Sequence, residues 1–268
     1  MLLLTIIFYG ALASWTILMG FLSLPFLLLP SKSIALPAKI WIRGIFICLK
    51  YICGVTHEMK GLAHLSDEPV IIVSKHQSAF ETFALYYYLK KSFFIHKKQL
   101  FYIPIFGQYL MKHNMVSIDR AGHASTMRKM ITDVKKKLDS GSTIIIFPEG
   151  TRSRNLEPPY LGRGKTGVAR LAARFPNVPI VPMAIIGARD FLKPGSAIVN
   201  PLAKIQVSVG NPITFAEWLN DKEGAGLDDE GISNIASLDE HGQRSIMKSL
   251  YRDFTDQLIE TLRILGAP

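Results

Sequence analysis

The chain opens with a long apolar stretch. Its first 31 residues contain no charged side chain, and an almost continuous apolar run extends from residue 2 to residue 29. A helix that crosses the hydrocarbon core of a bilayer needs about 20 such residues, so the run predicts a membrane-embedded helix. A cleaved signal peptide is the alternative, but no basic segment precedes the run, its apolar core is too long, and no clear cleavage site of small residues follows it.

A second apolar segment, over residues 33–55, carries basic side chains and a tryptophan. Lysine and arginine at such positions extend towards the headgroup layer, and an indole prefers the boundary between apolar and wet surroundings. Residues 1–55 are therefore predicted to form two helices that are embedded in the membrane or lie on it. The basic residues favour a cytoplasmic location for the rest of the chain. They are Lys39, Arg43 and Lys50, with Trp41 among them.

From residue 56 onward, apolar β-branched runs alternate with patterns of helical period. The runs lie at 70–74, 115–118, 143–147, 179–186 and 204–209, and the helical patterns at 78–90, 125–138 and 166–175. This alternation predicts an α/β domain over residues 56–268, built on one mixed, largely parallel sheet flanked by helices. Residues 220–242 are polar and acidic, which predicts a surface loop, and residues 244–265 have the spacing of a helix that docks on the domain.

The composition of the chain indicates what kind of partner it binds. Of 268 residues, 49% are hydrophobic, and the formal net charge is +10. Such a charge favours an anionic partner: nucleic acid, anionic lipid or a phosphorylated substrate. The two cysteines, Cys48 and Cys53, lie in an apolar stretch and predict buried or lipid-facing thiols rather than a disulfide framework. The seven histidines show no metal-site spacing, so no metal site is predicted.

The first segment that can carry chemistry contains His76 and Glu81. His76 follows a predicted strand and precedes a predicted helix, the position at which ligands bind in open α/β sheets. The positive end of the helix dipole disfavours imidazolium, and a neutral imidazole is what a general base needs. Glu81 is a candidate partner that orients this imidazole. The alternative is a capping box of Ser78 and Glu81, in which the glutamate only binds the backbone at the helix start.

Two further strands run into polar turns. Arg120 follows the strand at 115–118 and is a candidate phosphate ligand, because a guanidinium binds phosphate in a planar fork. A surface ion pair of Asp119 with a basic side chain is the alternative. After the strand at 143–147, Glu149 and Gly150 form a tight turn, followed by hydroxyl and guanidinium donors from Thr151 to Arg154. Such a turn suits an oxyanion or a phosphate, and a generic basic loop is the alternative.

Residues 162–167 match the glycine pattern G-x-G-x-x-G, but no strand directly precedes them. The dinucleotide fingerprint requires that strand, so nucleotide binding is not expected. The chain also lacks a G-x-S-x-G nucleophile elbow, which argues against a serine hydrolase.

Together, these segments resemble the glycerolipid acyltransferase family, and specifically its bacterial 1-acylglycerol-3-phosphate acyltransferases. That family carries a histidine-x4-aspartate motif, a short motif ending in arginine, then F-P-E-G-T-R-S, then V-P-hydrophobic-V-P. The same order and spacing occur here in His76 to Glu81, Ile118 to Arg120, Phe147 to Ser153 and Val178 to Pro182. The match covers residues 70–190, and glutamate stands at position 81 where the family has aspartate.

The resemblance implies direct acyl transfer to the sn-2 hydroxyl of lysophosphatidic acid in phospholipid biosynthesis. His76 would be the general base and Glu81 its orienting partner. The substrate-binding residues would be Lys98, Arg120, Glu149, Gly150, Thr151, Arg152 and Lys165. The acyl donor would be acyl-CoA or acyl carrier protein, with no cofactor and no metal. The other partners would be membrane lipids and not nucleic acid, and the protein would lie on the inner membrane with its catalytic domain on the cytoplasmic side.

Other functions stay open at this point. Within the family, the acceptor could be another lysolipid. A lipid phosphatase or phospholipase would also use a basic, membrane-proximal site, but would need no acyl thioester. A non-enzymatic module that binds anionic lipid accounts for the charge and the anchor but not for His76, and nucleic-acid binding accounts for the charge alone.

Overall fold

The computed structural model describes residues 1–65, 68–103, 106–113, 115–118, 123–151, 161–193, 195–224 and 240–267. These residues form an α/β fold. The strands are β1 Thr56–Lys60, β2 Ile71–Ser74, β3 Ser92–Lys97, β4 Val116–Ile118, β5 Thr143–Ile146, β6 Ile180–Ile186 and β7 Lys204–Val209. Their order in the seven-stranded sheet is β1-β7-β6-β2-β5-β3-β4. The pairings of β2 with β6, and of β3 with β4 and β5, are parallel.

Helices connect and flank the strands. They are α1 Leu2–Leu22, α2 Ala35–Cys53, α3 Phe80–Tyr88, α4 Phe106–Lys112, α5 His123–Asp139, α6 Gly167–Arg174, α7 Ala188–Phe191, α8 Phe215–Gly224 and α9 Glu240–Leu265. Strand β2 is buried along its whole length, and β6 nearly so. Strands covered on both faces are typical of a parallel sheet, and they require the continuous apolar runs seen in the sequence.

The described residues divide into two compact units: residues 1–59, 77–145 and 185–207, and residues 60–76, 146–184 and 208–268. The first unit contains α1 and α2, which pack against each other. The indole nitrogen of Trp15 donates to the carbonyl oxygen of Trp41 over 2.8 Å, and Trp41 donates to the hydroxyl of Thr16. Gly44 permits this approach, because a Cβ there would come within 2.2 Å of the Trp15 ring.

Helix α1 also packs on the rest of the first unit. Phe8 contacts the ring of Phe191, with ring centroids 5.7 Å apart, and the amide of Val199 donates to the hydroxyl of Thr5. The opposite side of α1 exposes large apolar side chains, among them Leu2, Leu3, Ile6, Ile17, Phe21 and Leu22. By length and composition α1 can cross a membrane, although buried core helices and signal sequences pass the same test.

The second unit contains α6, α8 and α9. Its core includes Trp218 of α8 and Phe254 of α9, whose rings make an edge contact with centroids 4.9 Å apart. Gly164 lies against α9 so closely that a Cβ there would come within 2.8 Å of Thr255. The C-terminal helix therefore docks on the loop before α6, as the spacing of residues 244–265 predicts.

The predicted α/β class is confirmed, and each of the five predicted strands is present within a residue or two of its expected ends. The sequence patterns missed β1 and β3. Strand β1 alternates exposed and partly covered residues and lies at the edge of the sheet order, so it lacks a continuous apolar run. In β3, His96 and Lys97 interrupt the apolar residues.

Two predicted boundaries were wrong. The apolar run to residue 29 does not form one helix: α1 ends at Leu22, and a 3₁₀ turn follows over Leu24–Leu27. Pro25 explains the break, since proline lacks an amide hydrogen and disfavours helical backbone in the residue before it. The loop predicted over 220–242 overlaps α8, which Thr214 and Glu217 start with reciprocal hydrogen bonds, and α9. Residues 225–239 lie outside the described residues.

The compact units do not follow the predicted domain boundary at residue 55, since α1 and α2 share a unit with residues 77–145. The division into an anchor, residues 1–55, and an acyltransferase domain, residues 56–268, stays a prediction.

Candidate active site

His76 lies two residues beyond the end of β2. That strand pairs in parallel with β6, with Ser74 opposite Met183. The histidine is half-buried, and its backbone amide donates to Oε1 of Glu149 over 3.1 Å. The sequence thus places an imidazole at the carboxyl end of a buried strand, as predicted, and the turn after β5 fixes its backbone.

The side chain of Phe147, the first residue after β5, packs against the imidazole of His76. The two rings are stacked, with centroids 4.2 Å apart and an angle of 17° between their planes. An aromatic face attracts a cation, so this arrangement stabilises an imidazolium more than a neutral ring. A histidine that takes up a proton during a reaction gains from this contact when it becomes charged.

Glu149 connects three segments of the second unit. It is only 6% exposed, and Oε2 accepts a hydrogen bond from the amide of Gly162 over 2.7 Å while Oε1 accepts the His76 amide. The turn that carries it closes with a bond from the Gly150 amide to the Phe147 carbonyl, and Gly150 has a φ of +71°, a conformation that favours glycine. The carboxylate therefore holds the backbone at His76 and at the loop before α6.

This loop is also held through its own backbone. The amide of Lys165 donates to the carbonyl oxygen of Pro148 over 2.9 Å, and Lys165 is exposed. Thr151, directly after the turn, is exposed as well. Both residues, predicted to bind substrate, thus lie in or beside segments that the Phe147–Gly150 turn organises.

Glu81 lies in the first turn of α3, in the first unit, and is fully buried. Its carboxylate accepts hydrogen bonds from the amides of Gln77 and Ser78 and from the Ser78 hydroxyl, over 2.8–3.0 Å. Burial raises the pKa of the Glu81 carboxyl to about 7, although these hydrogen bonds favour the charged form. The capping-box interpretation therefore describes bonds that the structure contains, and the orienting role towards His76 stays a prediction.

Of the other residues predicted to bind substrate, the structure describes Lys98 but not Arg120 or Arg152. Lys98 is exposed at the start of a 3₁₀ turn, Lys98–Tyr102, in the first unit. Arg120 and Arg152 lie outside the described residues, as does Asp119. The role of Arg120 and Arg152 in phosphate binding stays a prediction.

Sequence reasoning missed two contributions to this site. The glycine-rich pattern of residues 162–167 does not predict that the Gly162 amide donates a hydrogen bond to the Glu149 carboxylate. The F-P-E-G-T-R-S motif includes Phe147 but does not predict that its ring stacks on His76. Both contacts join residues distant in sequence, and no local pattern encodes such a pairing.

Comparisons with known proteins bear on this geometry. Residues 56–186 match the acyltransferase family model. Over 210 residues, 78% of this chain and 75% of the relative, the sequence is 28% identical to a 1-acyl-sn-glycerol-3-phosphate acyltransferase of Pseudomonas aeruginosa. It is 31% identical to the chloroplastic 1-acyl-sn-glycerol-3-phosphate acyltransferase LPAT1 of Arabidopsis thaliana over 58% of this chain and 43% of that one.

A solved structure is similar in fold. The crystal structure of the 1-acyl-sn-glycerophosphate (LPA) acyltransferase PlsC from Thermotoga maritima superposes with a TM-score of 0.64 at 22% sequence identity. The similarity covers 96% of this chain and 95% of that one, so it extends over the two N-terminal helices as well as the sheet.

Proposed function

We propose, because residues 56–186 match the acyltransferase family model, that the protein transfers a fatty acyl group from a thioester to the sn-2 hydroxyl of lysophosphatidic acid. The product is phosphatidic acid, a precursor in phospholipid biosynthesis. The observation that carries the proposal is His76, fixed at the end of β2 by Glu149 and stacked on Phe147. The names of the relatives support lysophosphatidic acid as the acceptor.

In the proposed reaction, His76 takes the proton from the acceptor hydroxyl while its oxygen attacks the thioester carbonyl. The tetrahedral intermediate then collapses, the carbon–sulfur bond breaks, and the imidazolium returns the proton to the leaving thiolate. General-base catalysis of this kind contributes about 10²–10⁴-fold. The stacked ring of Phe147 lowers the free energy of the imidazolium that exists between the two proton transfers.

Glu81 supports this histidine through the backbone and, in the proposal, through charge. Its carboxylate binds the amide of Gln77, the residue that follows His76, and so restrains the chain one residue beyond the base. A carboxylate with a pKa of about 7 is partly ionised at neutral pH. In its ionised form it orients and stabilises the imidazolium.

Phosphate recognition is assigned to the basic residues around the motifs. Arg120 and Arg152 supply guanidinium forks for the phosphate, and Lys98 and Lys165 supply further positive charge. Thr151 and Gly150 complete the turn after β5, where hydroxyl and amide donors suit an oxyanion. The acyl donor is acyl-CoA or acyl carrier protein, both of which present a thioester on a phosphorylated carrier.

The N-terminal helices bring this chemistry to its lipid substrates. Helix α1 exposes apolar side chains along much of its length, and α2 carries Lys39, Arg43 and Lys50 beside apolar residues. We assign both helices to the inner membrane, with the catalytic domain on its cytoplasmic side. Acyl chains can then enter the site without crossing water.

The experiment that tests this function uses the full-length chain, purified in detergent. It is offered lysophosphatidic acid and a panel of other lysolipids, each with acyl-CoA, with acyl carrier protein and with no donor, and the products are identified by mass spectrometry. His76→Ala is the inactive control. Formation of phosphatidic acid that requires both a thioester and His76 is the expected result.

Each arm separates one alternative. If a different lysolipid is acylated and lysophosphatidic acid is not, the protein uses another acceptor within the family. Release of phosphate or fatty acid without any donor would identify a phosphatase or phospholipase. Full activity of His76→Ala would remove the histidine from the mechanism.

A further inference from the structure

Lys75, the residue directly before His76, is buried in the second unit. Only 2% of it is exposed, although lysine is among the residues that are almost never buried unless they have a partner. Burial of an ammonium is unfavourable unless negative charge or oriented dipoles compensate for lost hydration. A buried lysine next to a proposed catalytic base therefore requires a partner in the fold.

The end of α9 lies at this ammonium. A Cβ placed on Gly266, the residue after the helix, would come within 2.7 Å of Nζ of Lys75 and within 3.0 Å of the Leu262 carbonyl oxygen. The Gly266 amide continues the helical bonding to that same carbonyl. The lysine side chain thus ends beside the last turn of a helix of 26 residues.

The last turn of a helix is a favourable place for a cation. Its final carbonyl groups have no amide partners within the helix, and the aligned peptide dipoles give this end a partial negative charge. Gly266 leaves room for the ammonium, since a Cβ there would come within 2.7 Å of Nζ and one of the two would have to shift. Leu258 and Leu262, both buried, fix this end of α9 in the core.

From this geometry we propose that Lys75 is a positioning residue for His76: its ammonium binds the C-terminal end of α9 and fixes the turn after β2 in which the histidine lies. The inference rests on the proposed role of His76 as the base. Two anchors then act on neighbouring residues. The Lys75 side chain is held by α9, and the His76 amide is held by Glu149. A base displaced by even about 1 Å can lose up to about 100-fold in rate.

Two single variants and their combination test the contact from both sides. Lys75→Met removes the charge at similar length, and Gly266→Ala keeps the lysine but occupies the space of its ammonium. Ala267→Val is the matched control, because it adds bulk at the neighbouring, exposed position. Steady-state kinetics, melting curves and hydrogen exchange of the segment 74–78 are measured for each full-length variant.

We expect kcat to fall about 10- to 100-fold in Lys75→Met and in Gly266→Ala, with KM for both substrates unchanged. Because both substitutions act on one contact, kcat of the double variant should be no lower than kcat of the less active single variant. The His76 amide should exchange faster in all three variants and as in the parent chain in Ala267→Val.

Two results would overturn the proposal. The first is Gly266→Ala with parental kcat and parental exchange at His76, which would show that the end of α9 does not act on the turn. The second is lower melting temperatures with parental kcat at a temperature where all variants are folded, which would make Lys75 structural only. Hydrogen exchange at His76 reports the contact even if His76→Ala stays active, so failure of the proposed function remains distinguishable.

Discussion

The backbone amide of His76 and the Oε1 atom of Glu149 are joined by a hydrogen bond of 3.1 Å, between residues 73 positions apart in the sequence. The other carboxylate oxygen of Glu149 binds the Gly162 amide. A glutamate of the F-P-E-G turn is thus used to hold two backbone segments, one of which carries the proposed base. This relationship gives Glu149 a role that does not depend on direct contact with the substrate.

Glu149→Gln should lower kcat more than it changes KM for the acceptor. A glutamine oxygen can accept one of the two amides, but its NH₂ group then faces the other amide, donor against donor. Loss of one charge-assisted hydrogen bond costs about 1.5–3 kcal/mol. Steady-state kinetics and a melting curve check this. A rise in the acceptor KM with unchanged kcat would instead show that Glu149 binds the substrate directly.

The matched control for this prediction is Glu217→Gln. Glu217 also accepts a backbone amide, from Thr214 over 3.0 Å, but on the surface at the start of α8. A capping box tolerates glutamine. We therefore expect parental kinetics and nearly parental stability in that variant.

Phe147→Leu should lower kcat while the fold is retained. The substitution keeps an apolar side chain but removes the aromatic face that stacks on His76 at 4.2 Å. A cation–aromatic contact of this kind is worth about 0.5–2 kcal/mol, which corresponds to a reduction of about 2- to 30-fold. The pH–rate profile supplies a second measurement: loss of the ring should lower the apparent pKa of the base, and an unchanged profile with unchanged kcat would contradict the proposed role.

The place of His76 could be predicted from the sequence because it depends on local features, a short apolar run followed by a helix start. Its supporting contacts could not. The bonds of Glu149 to His76 and Gly162, and the approach of Lys75 to Gly266, join segments far apart in the chain, and their pairing follows from the tertiary fold.

The same distinction between local sequence features and long-range contacts explains which strands and helices the sequence predicts. Strands β2 and β6 are buried and carry continuous apolar runs, so their positions were evident. Strand β1, with alternating exposure, and β3, which ends in His96 and Lys97, are specified by pairing with neighbouring strands more than by their own composition. The break after Leu22 has a local cause in Pro25, which weighs more than the apolar character of the run.

Glu81→Gln should change stability in a manner that depends on pH. Burial raises the pKa of Glu81 from 4.5 to about 7, so the folded chain binds this proton more tightly than the unfolded chain. The stability that the protonated carboxyl contributes is present below pH 4.5 and is lost as the pH rises through about 7. Glutamine stays neutral, so the variant should gain stability relative to the parent over this range, on the order of 3 kcal/mol.

Activity separates the two roles of Glu81. Glutamine can accept the amides of Gln77 and Ser78 through its oxygen, so a pure capping role predicts near-parental turnover. An orienting carboxylate predicts a large loss of kcat above about pH 7, where the parent carboxyl is ionised, and a smaller loss below it. Denaturation at pH 5 and pH 8 together with kinetics decides both questions, and parental turnover would leave Glu81 as a cap only.

Deletion of residues 1–30 should cause aggregation as well as loss of membrane binding, because α1 is part of the packed structure. Its removal uncovers Phe191 and the α2 surface around Gly44 and leaves the Val199 amide without the Thr5 hydroxyl. A soluble, monodisperse and fully active truncation would show that α1 is neither anchor nor structural support.

A pair of glycine substitutions distinguishes the packing of the hairpin formed by α1 and α2 from its attachment to lipid. Gly44→Ala places a methyl group within 2.2 Å of the Trp15 ring, whereas at Gly10, on the same hairpin, nothing lies within 4 Å of such a methyl. Alanine is intrinsically better in a helix than glycine by about 0.5–1 kcal/mol. Gly10→Ala should therefore be neutral or stabilising, and Gly44→Ala should lower the melting temperature because the Trp15–Trp41 hydrogen bond is strained or lost. Vesicle flotation of both variants completes the test: since neither substitution removes an apolar or basic side chain, both should float with anionic vesicles like the parent while they remain folded. Equal melting temperatures for the two variants would mean that the close approach of Trp15 to Gly44 is not needed for the hairpin.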